Sequence, residues 1–258
     1  MPTLPIDSLL PQLRQTLAHQ LNLVLQAPPG AGKTTRVPLA LLDAKWLGRR
    51  KILMLEPRRL AARAAARFMA KSLGEQVGET VGYRVRLESR VGARTRIEVV
   101  TEGILTRMLQ DDPTLQDTGL VIFDEFHERS LNADLGLALC LDSQGALNET
   151  LRILVMSATL DGAAVARLLG DAPLLTSEGR GFPVDIHYRA PPALQRRDSV
   201  STDGLVHALV QVLEQDTGSV LVFLPGAGEL RRLANALRAL DLWRELSVAP
   251  LYGPRDSA

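Results

Sequence analysis

Apolar residues follow two rhythms along this chain. Short, almost wholly apolar runs occur at Leu21–Gln26, Lys51–Leu55, Arg96–Val100, Leu120–Phe123 and Arg152–Met156. Between them, apolar residues recur every three to four positions near 33–44, 58–72, 102–110, 131–142 and 161–169. The first rhythm predicts strands buried on both faces, and the second predicts helices laid over them. Their alternation predicts the α/β class, a parallel sheet with helices on both faces. The helix at 58–72 has the clearest pattern, with Ala, Leu and Phe on one face and Arg63 and Arg67 four apart on the other.

Glycine and proline then break the pattern at Glu178–Pro183. A strand-like run, Val184–Tyr188, follows, and Ala190-Pro191-Pro192 with Arg196, Arg197 and Asp198 reads as a linker. The alternation restarts with a helix near 203–215, a strand Ser219–Leu224, a helix 228–240 and a strand Leu246–Pro250. The predicted organisation is a first domain over 1–190, a linker over 191–200 and the start of a second α/β domain over 201–258. Two strands are too few to close a doubly wound sheet, so this second domain is expected to be incomplete.

Composition narrows the function classes. Hydrophobic residues make up 46% and charged residues 23% of the 258 positions, as in ordinary globular proteins. The net charge of +1 means that any nucleic-acid binding must rest on local arginine clusters. Aromatic residues are only 4%, which argues against a base-stacking platform and favours contact with the sugar-phosphate backbone, hence weak sequence preference. Trp46 and Trp243 read as packing residues, and His19, His187 and His207 as ordinary helix or surface residues. The single cysteine, Cys140, excludes an internal disulfide and lies in an apolar helical setting that predicts inert burial. No apolar run approaches the roughly 20 residues that span a bilayer, and the N-terminus does not read as a signal peptide. A cytoplasmic protein without a membrane partner is expected.

The chemistry begins at Ala27-Pro28-Pro29-Gly30-Ala31-Gly32-Lys33-Thr34, between a strand and a helix. That context is the one a phosphate-binding loop requires. Glycines let backbone N–H groups curl around a phosphate, and the helix N-terminus adds its positive dipole end. Pro29, Gly30, Ala31, Gly32, Lys33, Thr34 and Thr35 are therefore the candidate nucleotide-binding residues. Lys33 would reach the β- and γ-phosphates and the Thr34 hydroxyl would bind Mg²⁺, which makes ATP and Mg²⁺ the expected ligands. Ala27 stands where the general pattern has its first glycine, outside the tight turn. Asp124 and Glu125 close the strand Leu120–Phe123 and reach the top of the sheet. Asp124 would hold Mg²⁺ through water, and Glu125 would orient and deprotonate the attacking water. With Lys33, these two carboxylates are the candidate catalytic residues.

Further blocks follow in a fixed order. Arg58 and Arg59 stand where a helix begins, as phosphate contacts or as a solvated helix face. Thr101 and Gly103 follow a strand, as a backbone contact or as a plain N-cap. His127 lacks the companions of a metal ligand. Ser157 and Thr159 follow another strand, either as a helix cap or as hydroxyls linking His127 to a nucleic acid.

Taken together, Asp124-Glu125-Phe126-His127-Glu128-Arg129-Ser130 resembles the box of the DEAH/RHA group of superfamily 2 helicases, most of which carry Ala at the position of Phe126. That Phe, with Phe223-Leu224-Pro225-Gly226, resembles the HrpB-like bacterial branch. Glu56–Ala62, Gly82–Glu88, Thr101-Glu102-Gly103 and Ser157-Ala158-Thr159 are similar to the remaining blocks, over nearly the whole chain. The resemblance implies a RecA-like P-loop NTPase fold and an ATP-dependent helicase acting on nucleic acid, expected to be single-stranded RNA, although the residues themselves do not separate RNA from DNA. Arg58, Arg59, Thr101 and Gly103 would be nucleic-acid contacts, and His127, Ser157 and Thr159 would couple nucleotide to strand. In the family an arginine finger lies in a Gln-x-x-Gly-Arg-x-Gly-Arg block of the second RecA-like domain. These 258 residues hold no such block. The chain is therefore expected to be an N-terminal portion, weakly active or inactive alone, whose partners are the rest of a second RecA-like domain and C-terminal domains. A non-hydrolysing, nucleotide-gated RNA-binding module is the alternative, and a transporter-type P-loop ATPase is disfavoured by the Ser157-Ala158-Thr159 block.

Overall fold

Eight strands form one sheet in the order β4-β3-β5-β2-β6-β7-β1-β8. They are β1 (Asn22–Gln26), β2 (Lys51–Leu55), β3 (Val81–Val85), β4 (Glu88–Arg90), β5 (Ile97–Val100), β6 (Thr118–Phe123), β7 (Arg152–Ser157) and β8 (Leu174–Thr176). Every pairing is parallel except β3–β4, which is an antiparallel hairpin at one edge. The helices are α1 (Leu10–His19), α2 (Lys33–Leu41), α3 (Arg59–Ser72), α4 (Glu102–Asp111), α5 (Leu131–Ala146), α6 (Gly162–Leu168), α7 (Thr202–Gln215) and α8 (Ala227–Arg238). The computed structural model describes residues 3–158, 162–178, 184–188, 202–240 and 247–251.

Strict alternation along the central strands sorts their side chains into two cores. Leu23, Leu25, Ile52, Met54, Leu120, Ile122, Leu154 and Met156 face α1, α2 and α3. Val24, Leu53, Leu55, Val121, Phe123, Ile153 and Val155 face α4, α5 and α6. Both faces are dry, which is why these strands read as unbroken apolar runs. Each buried Leu, Ile or Phe contributes about 1.5–3 kcal/mol of transfer free energy, so the sheet is a stiff platform for whatever its strand ends present. Cys140 lies in the second core, and burial pushes its thiol up to about 12. Trp46 packs as expected, with the Arg152 guanidinium 4.3 Å above its ring.

Several expectations need correction. On α3 the buried face consists of Ala62, Ala65, Ala66, Met69 and Ala70. Leu60 and Phe68 are exposed, because the small alanines set how closely the helix approaches the sheet and leave the large residues outside. The run Val184–Tyr188 joins no strand and is exposed throughout. Ser219–Leu224 is not a strand, nor are the described residues 247–250 of the second predicted one. Among the described residues no neighbouring strand takes up their backbone N–H and C=O groups, and without a partner an apolar run is only an extended segment. Four elements, α1, β3, β4 and β8, had no counterpart among the predicted elements.

The chain divides into two compact units, Met1–Phe182 and Pro183–Ala258. The eight-stranded sheet lies wholly in the first, and α7 and α8 lie in the second. The predicted linker at 191–200 lies outside the described residues, as do Leu246 and Trp243.

Candidate nucleotide-binding site

Between the end of β1 and the start of α2 only Ala27–Gly32 turns the chain. Gly30 (φ +76°) and Gly32 (φ +95°) both stand in the left-handed region, which glycine enters without a steric penalty. Gly32 is required on a second ground, since a Cβ there would lie 2.6 Å from Leu4 Cδ1. The loop rests on the N-terminal segment: the Ile6 N–H donates to the Ala31 carbonyl at 3.2 Å, and Asp7 Oδ1 stands 3.7 Å from Arg36 Nε. On the opposite side the Ala27 N–H donates to the Ser157 carbonyl at 2.9 Å. Helix α2 starts without a side-chain cap. The amides of Gly32, Lys33 and Thr34 donate to no described residue. Unpaired amides at a helix start form an anion cradle. Pro29 and Gly30 form its exposed lip, and Thr35 lies in the first turn of α2.

Across the cradle stand the strand-end carboxylates. Lys33 is only 3% exposed, and its Nζ lies 3.3 Å from Glu125 Oε1. Glu125 holds a left-handed backbone (φ +49°), a strain of order 1–3 kcal/mol of the kind that clusters at functional sites. Asp124 is 2% exposed, and its carboxyl is pushed up to about 6, first by burial, with the nearby Thr34 hydroxyl drawing it back down. Oδ1 accepts the Glu125 N–H at 2.9 Å. Oδ2 is buried with no hydrogen-bond partner of acceptable geometry.

That orphaned carboxylate oxygen beside a hydroxyl fits a hard divalent cation such as Mg²⁺. Among the described residues no group of three or more His, Cys, Asp or Glu could enclose a metal. Water and phosphate oxygens would therefore supply the remaining ligands, as is usual for Mg²⁺. His127 lies beside the Glu125 carboxylate. Its Nδ1 lies 3.3 Å from the Ala158 N–H, which donates to it, and 3.4 Å from Glu125 Oε2. His127 thus joins the box to the end of β7, where Ser157 is buried. Thr159 lies outside the described residues.

Arg58 and Arg59 occupy the N-cap and first position of α3, both exposed. Arg58 Nη2 lies 2.6 Å from Glu128 Oε1, and Arg59 Nη2 donates to the Arg86 carbonyl at 3.1 Å. Thr101 sits at the N-cap of α4, but its side chain makes no capping bond. Around Gly103 a Cβ would meet nothing within 4 Å, so its backbone is open to a ligand. Lys33, Thr34, Asp124, Glu125 and His127 are thus brought together, whereas Thr101 and Gly103 stand on a separate strand end.

Four further residues escaped the sequence reading as site residues. Glu56 is buried and its carboxyl is pushed up to about 8 by burial, then by Asp124, Glu125 and Glu128. A signal for it existed: Leu55 pairs with Phe123 in register, so the residues after β2 and β6 are neighbours. Glu128 holds Arg58, and Ser130 both caps α5, through the Ala133 N–H at 3.0 Å, and donates to Glu102 Oε1 at 2.7 Å. Phe126 is buried edge-on against Phe123, with ring centroids 6.0 Å apart.

A mostly parallel sheet with a glycine-rich loop after β1, a paired acidic strand end after β6 and a histidine joined to the end of β7 defines a class of P-loop fold. The chain belongs to the DEAD/DEAH box helicase family, whose profile matches residues 11–168, and its fold is RecA-like. It is 49% identical over 253 residues to the ATP-dependent RNA helicase HrpB of Escherichia coli K12, a match covering 98% of this chain and 30% of that protein. It is 32% identical over 252 residues to the ATP-dependent RNA helicase HrpA of the same organism, covering 96% of this chain and 19% of that one. A crystal structure of the E. coli DEAH/RHA helicase HrpB superimposes with a TM-score of 0.84 at 50% identity, over 92% of this chain and 30% of that chain. The chain therefore spans less than a third of the length of these relatives.

Proposed function

We propose that these residues form the nucleotide-loading and strand-contacting part of an ATP-dependent RNA helicase acting in the cytoplasm. The reading is carried by one arrangement: Lys33, Thr34, Asp124 and Glu125 converge on a loop end where the amides of Gly32, Lys33 and Thr34 donate to no described residue. Without nucleotide, Lys33 neutralises Glu125. A triphosphate seated in the cradle would draw Lys33 Nζ to its β- and γ-oxygens and release the Glu125 carboxylate. A water oxygen then attacks the γ-phosphorus, the bond to the bridging oxygen breaks, the water's proton passes to Glu125, and ADP departs with the bridging oxygen. Thr34 and, through water, Asp124 would hold Mg²⁺, which when bound neutralises charge on the phosphate oxygens.

Arg58, Arg59, Thr101 and Gly103 would hold the backbone of single-stranded RNA with weak sequence preference. His127, Ser157 and Thr159 would transmit the state of the nucleotide to that strand. Residues 1–190 are read as the first RecA-like domain and 201–258 as part of a second, joined by 191–200. An arginine finger can be worth ~10³–10⁵ in rate, and with no arginine block of the family type in this sequence, hydrolysis by these 258 residues alone is expected to be slow.

Titration with a fluorescent ATP analogue and Mg²⁺ tests the reading. Wild type should bind, and Lys33→Ala should lose about 10- to 100-fold in affinity, as expected for a charge-assisted contact. Equal affinity in the two proteins would remove the basis of the proposal. RNA binding that persists in Lys33→Ala, with no turnover by wild type even when RNA is present, would favour the nucleotide-gated binding module instead.

A further inference from the structure

A second cationic feature lies at the far end of the sheet from the phosphate loop. Helix α3 carries Arg59, Arg63, Arg67 and Lys71 at four-residue spacing. They form a stripe that drifts slowly around the helix and runs roughly 18 Å along it. The first two are tied to the β3–β4 hairpin: Arg59 donates to the Arg86 carbonyl, and Arg63 Nη2 lies 2.9 Å from Glu88 Oε2. The last two are exposed and make no hydrogen bond or ion pair with any described residue. They open, with Arg90 of the edge strand β4, onto a pocket of about 710 Å³ between α3 and the hairpin. Arg90 likewise makes no side-chain hydrogen bond or ion pair with any described residue, although it and Arg67 act on Glu88 at longer range.

Two carboxylates share this pocket, but both are already engaged. Glu75 accepts from the Thr80 hydroxyl and amide, each at 3.0 Å. Glu88 accepts from the Tyr83 hydroxyl and pairs with Arg63. Three cations line the pocket against two carboxylates, one of which is paired with Arg63 from outside it, and this leaves the pocket electropositive in a chain whose overall charge is near zero. Tyr83, the one aromatic among the described residues that line the pocket, is buried and offers no ring face to a base, so the pocket can recognise charge but not sequence. Three converging cations suit the several oxygens of a phosphate better than a carboxylate, which a single arginine fork satisfies.

We infer that the pocket between α3 and the β3–β4 hairpin is a second backbone-phosphate site, reached by nucleic acid that has passed Arg58 and Arg59 and follows the α3 stripe. It rests on the nucleic-acid-binding reading above and extends it to a surface that the phosphate loop does not share. From β3 to β1 there are five strand spacings, roughly 24 Å, so the two sites do not overlap.

Fluorescence anisotropy with labelled single-stranded RNAs of about 16 and about 5 nucleotides tests the inference on the whole 258-residue chain. The variant carries Arg67→Gln, Lys71→Gln and Arg90→Gln. All three side chains are exposed and unpaired, so the fold tolerates their loss. The longer RNA should bind the variant on the order of tenfold more weakly, and its salt slope should flatten by about 2, the value for three lost phosphate contacts on a single strand. The shorter RNA should bind both proteins alike. A longer RNA that binds the variant with wild-type affinity and slope overturns the inference and leaves the helicase reading intact. Displacement of that RNA by polyglutamate from wild type but not from the variant also overturns it, by assigning the pocket to acidic protein. Failure of wild type to bind either RNA at low salt sinks the nucleic-acid reading itself, and this inference with it.

Discussion

In the first unit Leu120–Phe123 lies between β2 and β7 with every side chain buried. In the second, Val220–Phe223 is just as apolar, yet Leu221 is 66% and Phe223 86% exposed. Helix α5 buries five residues against the sheet, whereas α7 buries none and α8 only Leu233 and Ala234. A cleft of about 450 Å³ remains open in the second unit, lined by α7, α8 and the extended segments beside them. The contrast separates two quantities that an apolar run confounds. One is the tendency to leave water, which both runs share. The other is the supply of neighbouring backbone that lets a run leave water without orphaning its N–H and C=O groups, which among the described residues the first unit alone provides.

That contrast can be broken most directly in the cores. Phe123→Ala should cost about 3–5 kcal/mol, read from urea unfolding midpoints, while Phe223→Ala should change stability by no more than about 0.5 kcal/mol. Comparable losses would mean that the second unit is packed after all. A somewhat smaller effect is expected from Glu56, a burden that only a dense unit can impose. Its folded pKa, about 8, lies above the ordinary value of 4.5, so the folded state holds a proton that the unfolded state has released. The Glu56 contribution to stability is therefore most favourable below about pH 4.5 and is lost as pH rises toward 8, with a limiting slope of about 1.4 kcal/mol per unit. Glu56→Gln should flatten that slope in the nucleotide-free protein, and an unchanged slope would place the titration elsewhere. The smallest effect belongs to the surface. Glu128→Gln removes an exposed partner of Arg58 and should change stability by less than about 1 kcal/mol. It should nevertheless tighten RNA binding a few-fold by freeing the guanidinium, and weaker binding would show that Glu128 positions Arg58 rather than competes for it.

The sequence made the double-sided core legible because strands such as Lys51–Leu55 are apolar at nearly every position and their helices repeat at the expected period. It hid β3 and β4, where Gly82, Arg84, Glu88 and Arg90 interrupt the apolar signal at an edge that faces solvent on one side. It hid α1 for a related reason, since only Leu13 and Leu17 of that helix are buried. The over-read segments, Ser219–Leu224 and Val184–Tyr188, lack strand partners among the described residues rather than apolar character. Within the site, residues fixed by local geometry were readable: glycines before a helix, carboxylates at a strand end. The pairings were not. Lys33 with Glu125, Arg58 with Glu128 and Ser130 with Glu102 each join segments distant in sequence, and only the sheet order brings them together.

The contact between Gly32 and Leu4 bears on the portability of the phosphate loop. The eight letters from Ala27 to Thr34 look like a self-contained cassette, yet the tightest turn in them is packed against a leucine and an isoleucine more than twenty positions upstream. Grafted into another scaffold without that apolar buttress, the loop would keep its glycines and lose the wall that selects one of their many shapes. The working unit of inheritance is the loop together with Leu4–Asp7, and a designer who borrows the first must rebuild the second.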